Sequence, residues 1–274
     1  MDISTADVVK LRKATGAGMM DCKNALIDAS GNFDRAIEII REKGKLIASK
    51  RADRESSEGV VLAKVSENKN FGAILSLNCE TDFVAKNNNF VALTEKILNL
   101  AIANKCANIE EVKALKMDGR TIGEHTIEQT GIIGEKIELP YYSCIAASNV
   151  VPYIHPGNKL ATLVGFNKPI EYQAGRDIAM QIAAMNPVAV DISDVAPEIV
   201  EQELKIAREK FRLEGKPEAM LDKIAQGALN KFYKENTLLN QDFVKENKIT
   251  IRQYLYGVDK DVEVTGFIRF TLNV

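Results

Sequence analysis

The sequence has no tryptophan, two histidines and four cysteines in 274 residues, and each scarcity removes a class of chemistry. Cys22, Cys79, Cys106 and Cys144 form no CxxC pair and have neither histidine near enough to complete a zinc ligand set, so no metal is expected. They are read as reduced, mostly buried thiols, which behave as small hydrophobes. An enzyme would have only His125 and His155 to work with. Neither lies in a catalytic motif, and each is read as structural or as an interface hydrogen-bonder. With no GxxxxGK[ST] loop and no GxGxxG turn, the chain is expected to be no enzyme, to hold no cofactor and to bind no nucleotide directly. No apolar run reaches the roughly 18 residues that a membrane helix needs. The opening Met1-Asp2-Ile3-Ser4 is also unlike a basic stretch followed by an apolar core. The expectation is a cytoplasmic protein with no membrane partner. Neither charge is in excess, with 36 Lys and Arg against 38 Asp and Glu, so any nucleic-acid role would need a local patch.

What is present is an ordinary globular composition, 46% apolar and 27% charged, at a length of roughly two domains by the usual allowance of about 150 residues each. Ser4 and Asp7 make an S-x-x-D box ahead of Val8 and Leu11, which predicts a capped amphipathic helix ending at Thr15-Gly16-Ala17-Gly18. Met19, Cys22, Leu26 and Ala29 repeat at helical spacing, and Ser30-Gly31-Asn32 stops that helix and caps another. The third helix carries Phe33, Ala36, Ile37 and Ile40 on one stripe and is expected to close at Gly44. Helices this short are unstable alone, so the three must share a small core, as a binding module does. Between residues 41 and 54 stand Arg41, Lys43, Lys45, Lys50, Arg51 and Arg54 against Glu42 and Asp53, a linker composition. It is read as a solvated hinge. The competing reading is a phosphate or acidic-partner contact, which alone would support a nucleic-acid or ribosome-associated adaptor, though no aromatics interleave the charges to stack on bases.

From residue 59 the pattern changes to strands. Residues 60–65 and 71–77 read as a hairpin, followed by a helix over 90–103. The order recurs with a strand at 143–147, a long turn through His155-Pro156-Gly157, a strand at 159–166 and a helix over 174–184. The implied fold is α+β: two related antiparallel-sheet-plus-helix units side by side. Between strand and helix the first copy is about five residues longer, and the extra sequence is Glu80-Thr81-Asp82-Phe83-Val84-Ala85-Lys86-Asn87. A loop that one copy does without is a graft on the scaffold. Phe83 within it is either an exposed interface anchor or a plug over its own sheet, and spacing leaves both open.

Two motifs carry a resemblance. Leu11-Arg12-Lys13-Ala14-Thr15-Gly16-Ala17-Gly18-Met19-Met20-Asp21-Cys22-Lys23-Asn24-Ala25-Leu26 and Asn78-Cys79-Glu80-Thr81-Asp82-Phe83-Val84-Ala85-Lys86-Asn87 are similar to the elongation factor Ts family, the guanine-nucleotide exchange factors of elongation factor Tu. Weaker echoes are His155 with Gly157, Gly215-Lys216-Pro217, Phe243-Val244, and Val264-Thr265-Gly266-Phe267-Ile268-Arg269-Phe270. The resemblance implies a ubiquitin-associated-like three-helix domain with linker over 1–54 and a core N-subdomain over 55–140. It further implies a core C-subdomain over 141–187 and 237–274, interrupted by a helical hairpin over 188–236. It also implies that Thr81, Asp82, Phe83 and Val84 intrude near the magnesium site of elongation factor Tu, with Phe83 as the wedge. Arg12, Met19 and Met20 are implied contacts of the helical module, and His155 of the C-subdomain. The sequence stops at Val274, so the C-terminal helical module of longer members is expected to be missing.

In the hairpin, residues 198–213 and 217–233 flank Glu214-Gly215-Lys216-Pro217, with Ile199, Ile206, Ala207 and Phe211 expected to face Met220, Ile224 and Phe232. Such a projection can serve a homodimer or a second partner contact, or only close its own seam. A short helix from Thr250 and a strand over 262–272 are expected to return to the second sheet.

Overall fold

The computed structural model describes residues 3–272. It opens with α1 (Thr5–Thr15), α2 (Met19–Asp28) and α3 (Phe33–Lys50). The caps form as their residue types dictate: Ser4 accepts from the Asp7 amide and Asn32 from the Arg35 amide, while Gly16 ends α1 in the left-handed conformation at φ 73°. Val8, Leu11, Cys22, Ala25, Leu26 and Ala36 are buried together as the module's core. The expected stop at Gly44 does not occur, and α3 continues for six residues through the basic stretch read as a hinge. A glycine inside a helix costs about 1 kcal/mol against alanine, but here it permits a close helix crossing.

Then come β1 (Glu58–Val65), β2 (Phe71–Cys79), α4 (Asp82–Ala85), α5 (Asn88–Ala103), α6 (Ile109–Ala114), β3 (Lys116–Met117), β4 (Arg120–Thr121), α7 (Ile122–Ile133) and β5 (Glu138–Ala146). The strands order β1-β2-β5, all antiparallel. The second half holds β6 (Asn149–Ile154), β7 (Leu160–Phe166), α8 (Tyr172–Met185), α9 (Pro197–Leu213), α10 (Glu218–Asn236), β8 (Asp242–Phe243), β9 (Glu246–Thr250), α11 (Ile251–Val258) and β10 (Val264–Thr271). Its sheet orders β10-β7-β6, so the last strand does return beside β7.

The strand expected to open the second unit at 143–147 belongs to the first instead. It is the end of β5, whose register runs from Phe71 opposite Ala146 to Asn78 opposite Glu138. The expected subdomain start at 141 therefore falls inside this strand. The true counterpart of β1 is β6, which the sequence disguises as a turn because it contains Pro152. That proline is tolerated because β6 is an edge strand of its sheet.

The two sheets lie face to face over Val61, Ala63, Ile74, Val150, Ala161 and Leu163. Helix α5 covers the outer face of one sheet and α8 that of the other. Covering on both faces explains why every residue of β2 is buried, including Ser76 and Asn78. The polar pair is satisfied inside: Asn78 donates to the Ser56 carbonyl at 2.9 Å.

Helices α9 and α10 form the hairpin, closed at its base where the Val188 amide donates to the Asn236 carbonyl at 2.8 Å. Ala207, Leu221, Ala225 and Leu229 fill its seam. Ile206 and Met220, expected in that seam, are exposed, as is Leu213 at the turn. They lie one position off the buried row, a quarter turn of the helix. All four cysteines are free, three buried and Cys144 partly so.

Candidate partner-binding surface

The connection from β2 to α5 runs from Glu80 to Asn87, against only residues 167–171 between β7 and α8, so the first copy is longer by three residues and not five. Its extra chain folds into α4, a single turn capped by Thr81. One turn has an inward and an outward side. Ala85 is buried and Val84 packs on the first core, which fixes the helical phase and leaves Phe83 pointing outward, 83% exposed. Phe83 is therefore not a plug over its sheet. Beside it, Lys86 donates to Asp82 at 2.6 Å, and this bond holds the Asp82 carboxyl below its ordinary range, with Lys159 adding to the effect at longer reach.

The turn is held from below. The Thr81 amide and hydroxyl both donate to the Glu135 carboxylate, at 3.0 and 2.7 Å. Glu80 accepts from Arg51 at 2.8 Å, from Arg54 at 3.0 Å and from the Lys136 amide at 2.6 Å. Burial alone would raise the Glu80 carboxyl, but the Lys136 amide and the two guanidinium groups outweigh it and hold the group at about 2. The Cys79 thiol donates to the Thr81 carbonyl at 3.2 Å, and burial pushes that thiol up to about 12, so it stays protonated.

These partners account for the basic stretch. Arg51 and Arg54 serve Glu80, Arg41 lies 3.6 Å from Glu128, and Lys43 bonds Asp21. Four of the six cations are thus paired within the chain, which weakens a phosphate-contact reading, while Lys45 and Lys50 stay exposed.

The module is joined to the core where α3 crosses α7. A Cβ placed on Gly131 would stand 2.3 Å from the Gly44 Cα, so the helices approach closely and Gly131 admits no side chain without shifting, whereas a Cβ on Gly44 would meet the Gly131 Cα at an ordinary 3.6 Å. Next to this crossing, a cleft of about 380 Å³ is lined by Thr15 and Gly16 of the module together with Val84, Asn87 and Phe90. The two sequence motifs, separated by about fifty residues of chain, thus meet at one place.

Other expected site residues fall differently. Arg12 and Met20 are exposed on the module, and Arg12 has no ion-pair partner among the described residues. Met19 is partly buried against the module's own core and offers less surface than its neighbour. His155 is exposed in the β6–β7 turn, its Nδ1 3.0 Å from the Tyr153 hydroxyl. The same turn reaches the first sheet, where Lys159 pairs with Glu58 at 2.7 Å. His125 is buried with Nε2 2.6 Å from the Met117 carbonyl, a structural role. Glu80, Glu135 and Arg51 were not singled out as a unit on the sequence, since no spacing rule links partners this far apart. The capping box of Thr121 and Glu124 was readable and would have announced α7, which carries both Gly131 and the approach to Glu135.

The sequence model of the family described as Elongation factor TS matches residues 80–274, starting at the glutamate that anchors the turn. The chain belongs to the elongation factor Ts family. An Elongation factor Ts from Porphyromonas gingivalis is 57% identical over 274 residues, covering 100% of this chain and 99% of that protein. One from Azobacteroides pseudotrichonymphae is 54% identical, with 100% of both covered, and one from Bacteroides fragilis is 42% identical, with 99% of each covered. These relatives include the helical module that the family model leaves unmatched. Membership in the elongation factor Ts family places the chain in translation elongation. Among the described residues, no helix is long and apolar enough to cross a membrane.

Proposed function

We propose that the chain is a guanine-nucleotide exchange factor that binds GDP-loaded elongation factor Tu, disturbs its magnesium and phosphate site, and lets GDP leave so that GTP can bind. The observation that carries this reading is Phe83: a large apolar side chain, 83% exposed, at the tip of a turn whose other residues are anchored. A rigidly presented aromatic gives contact area at small entropic cost.

A GTPase holds its nucleotide through phosphate contacts and a bridging magnesium ion. A partner shifts that equilibrium only by the difference of its affinities for the nucleotide-bound and nucleotide-free forms. By linkage, rebinding of GDP or GTP must weaken the partner's hold to the same degree. The roles are therefore unequal. Arg12 and Met20 on the module, with a smaller share for Met19, and His155 on the second sheet supply binding to both forms. Thr81, Asp82, Phe83 and Val84 fit chiefly the deformed site. The exposed Leu213, Ile206 and Met220 of the hairpin offer a surface for self-association, separate from the wedge.

The test is stopped-flow release of a fluorescent GDP analogue from elongation factor Tu with increasing amounts of this protein. Saturable acceleration is the expected result; release at the unassisted rate throughout would overturn the reading.

A further inference from the structure

Resting on that exchange reading, we propose that Glu80 and Glu135 are positioning residues: two carboxylates that hold the Phe83 turn at the angle from which it acts. Neither would touch the partner. They act through Thr81 and the backbone of α4.

The need for such a support follows from length. Four residues make one turn, and a single turn does not hold its own shape, because nucleating a helix fixes several dihedral angles for one hydrogen bond. Val84 and Ala85 set which side faces in, but two small apolar contacts leave the tilt of the turn free. The tilt is set by two reciprocal bonds. The side chain of Glu80 takes the backbone amide of Lys136, and the side chain of Glu135 takes the backbone amide of Thr81. Adjacent residues of each segment thus bracket the other, with no shared atom. The second oxygen of Glu135 takes the Thr81 hydroxyl, and Glu80 is tied in turn to Arg51 and Arg54 just beyond α3. The Lys136 ammonium closes the frame by donating to the Arg54 carbonyl at 2.9 Å.

The second copy ties its connection differently. In its shorter connection Glu171 caps its own helix by accepting from the Gln173 and Ala174 amides, and Asn167 ties the segment to residues 261–263 by donating to the Asp261 carbonyl at 3.0 Å and accepting from the Glu263 amide at 2.9 Å. The tie there falls on Asn167, directly after the strand, and supports no exposed aromatic turn. The bracket in the first copy falls on Glu80 and Thr81, at the base of the exposed turn.

Two readouts test this. In free protein, chymotryptic cleavage after Phe83, located by mass spectrometry, reports how firmly the turn is held. Glu135→Ala is expected to speed that cut about tenfold, while Glu135→Gln, which keeps an acceptor for the Thr81 amide, stays near wild type. In stopped-flow GDP release from elongation factor Tu, Glu135→Ala is expected to lower the saturating rate about tenfold or more with the half-saturating concentration nearly unchanged, again rescued by Gln. Glu80→Gln, which loses the charge but keeps the Lys136 bond, should fall between. Unchanged cleavage in Glu135→Ala overturns the positioning role whatever the exchange assay shows. Acceleration by wild type that Glu135→Ala fully retains also overturns it, and leaves the exchange reading standing. No acceleration by wild type defeats the exchange reading alone, and the cleavage result then decides the bracket.

Discussion

The two halves of the core use one plan for different ends. In each, a hairpin leads into a covering helix, α5 or α8, and a third strand from later in the chain closes the sheet. The second copy joins strand to helix in the shortest way, through residues 167–171. The first has three more residues, which form α4 with an exposed Phe83, and a set of anchors drawn from the segments just beyond α3 and α7. Up to the covering helix, what differs between copies is confined to one connection and its supports; beyond it the first inserts α6 to α7 and the second α9 to α11. The scaffold is what both share, and the candidate activity lies in what they do not.

Breaking that comparison outright means giving the first copy the second's connection. Replacing residues 80–87 with residues 167–171 should abolish acceleration of GDP release while the two-sheet fold persists, since α8 needs no more than that segment. Circular dichroism and the release assay check the two halves of the expectation. Complete unfolding would show that the graft is part of the scaffold.

The next largest effect concerns the crossing that brings α3 to the turn. Gly131→Val places side-chain atoms into the Gly44 backbone, and overpacking of this kind typically costs about 1–3 kcal/mol. Denaturant unfolding should show the loss, with exchange weakened because Arg51 and Arg54 no longer reach Glu80. Wild-type stability in this variant would mean that the contact is easily opened.

A smaller effect is set by acidity. Glu80 is held at about 2 against an ordinary 4.5. A carboxyl lowered by folding contributes its full stability above about 4.5 and loses it as the pH falls from there toward 2. Thermal melts should therefore decline across that window. Replacing both Arg51 and Arg54 with alanine should flatten the decline; an unchanged slope would assign it to other carboxylates.

The least effect is expected on the hairpin. Leu213→Ser with Met220→Ser removes only exposed apolar surface, so the change in stability should stay within about 0.5 kcal/mol. Sedimentation of wild type and variant shows whether these residues associate two copies: a dimer lost in the variant assigns them that role, and a monomer in both denies it.

How far these features were legible follows from the range of the forces involved. Caps act within three residues, and those of Ser4, Asn32 and Thr250 could be read directly. Strand partners are chosen by packing over longer range. Hence β5 looked like the start of the second unit, and β6 was hidden by Pro152. Gly44 was read by its local propensity as a stop, whereas its tertiary contact with Gly131 decides. The Thr81 to Val84 turn was visible as a graft from the repeat alone, yet the direction of Phe83 was not, because it depends on whether Val84 and Ala85 or Phe83 wins the inward side. Its carboxylate supports were invisible for a related reason: Glu80 and Arg51 are partners only once α3 runs on past Gly44.

The central claim is that Phe83 acts on the nucleotide site while the rest of the surface binds. Stopped-flow GDP release from elongation factor Tu, titrated with wild type and with Phe83→Ala, tests it most directly. The account predicts a saturating rate reduced about tenfold or more in the variant, with the half-saturating concentration changed far less. A variant that reaches the wild-type rate at saturation, needing only more protein to do so, would contradict it and make Phe83 one more binding residue.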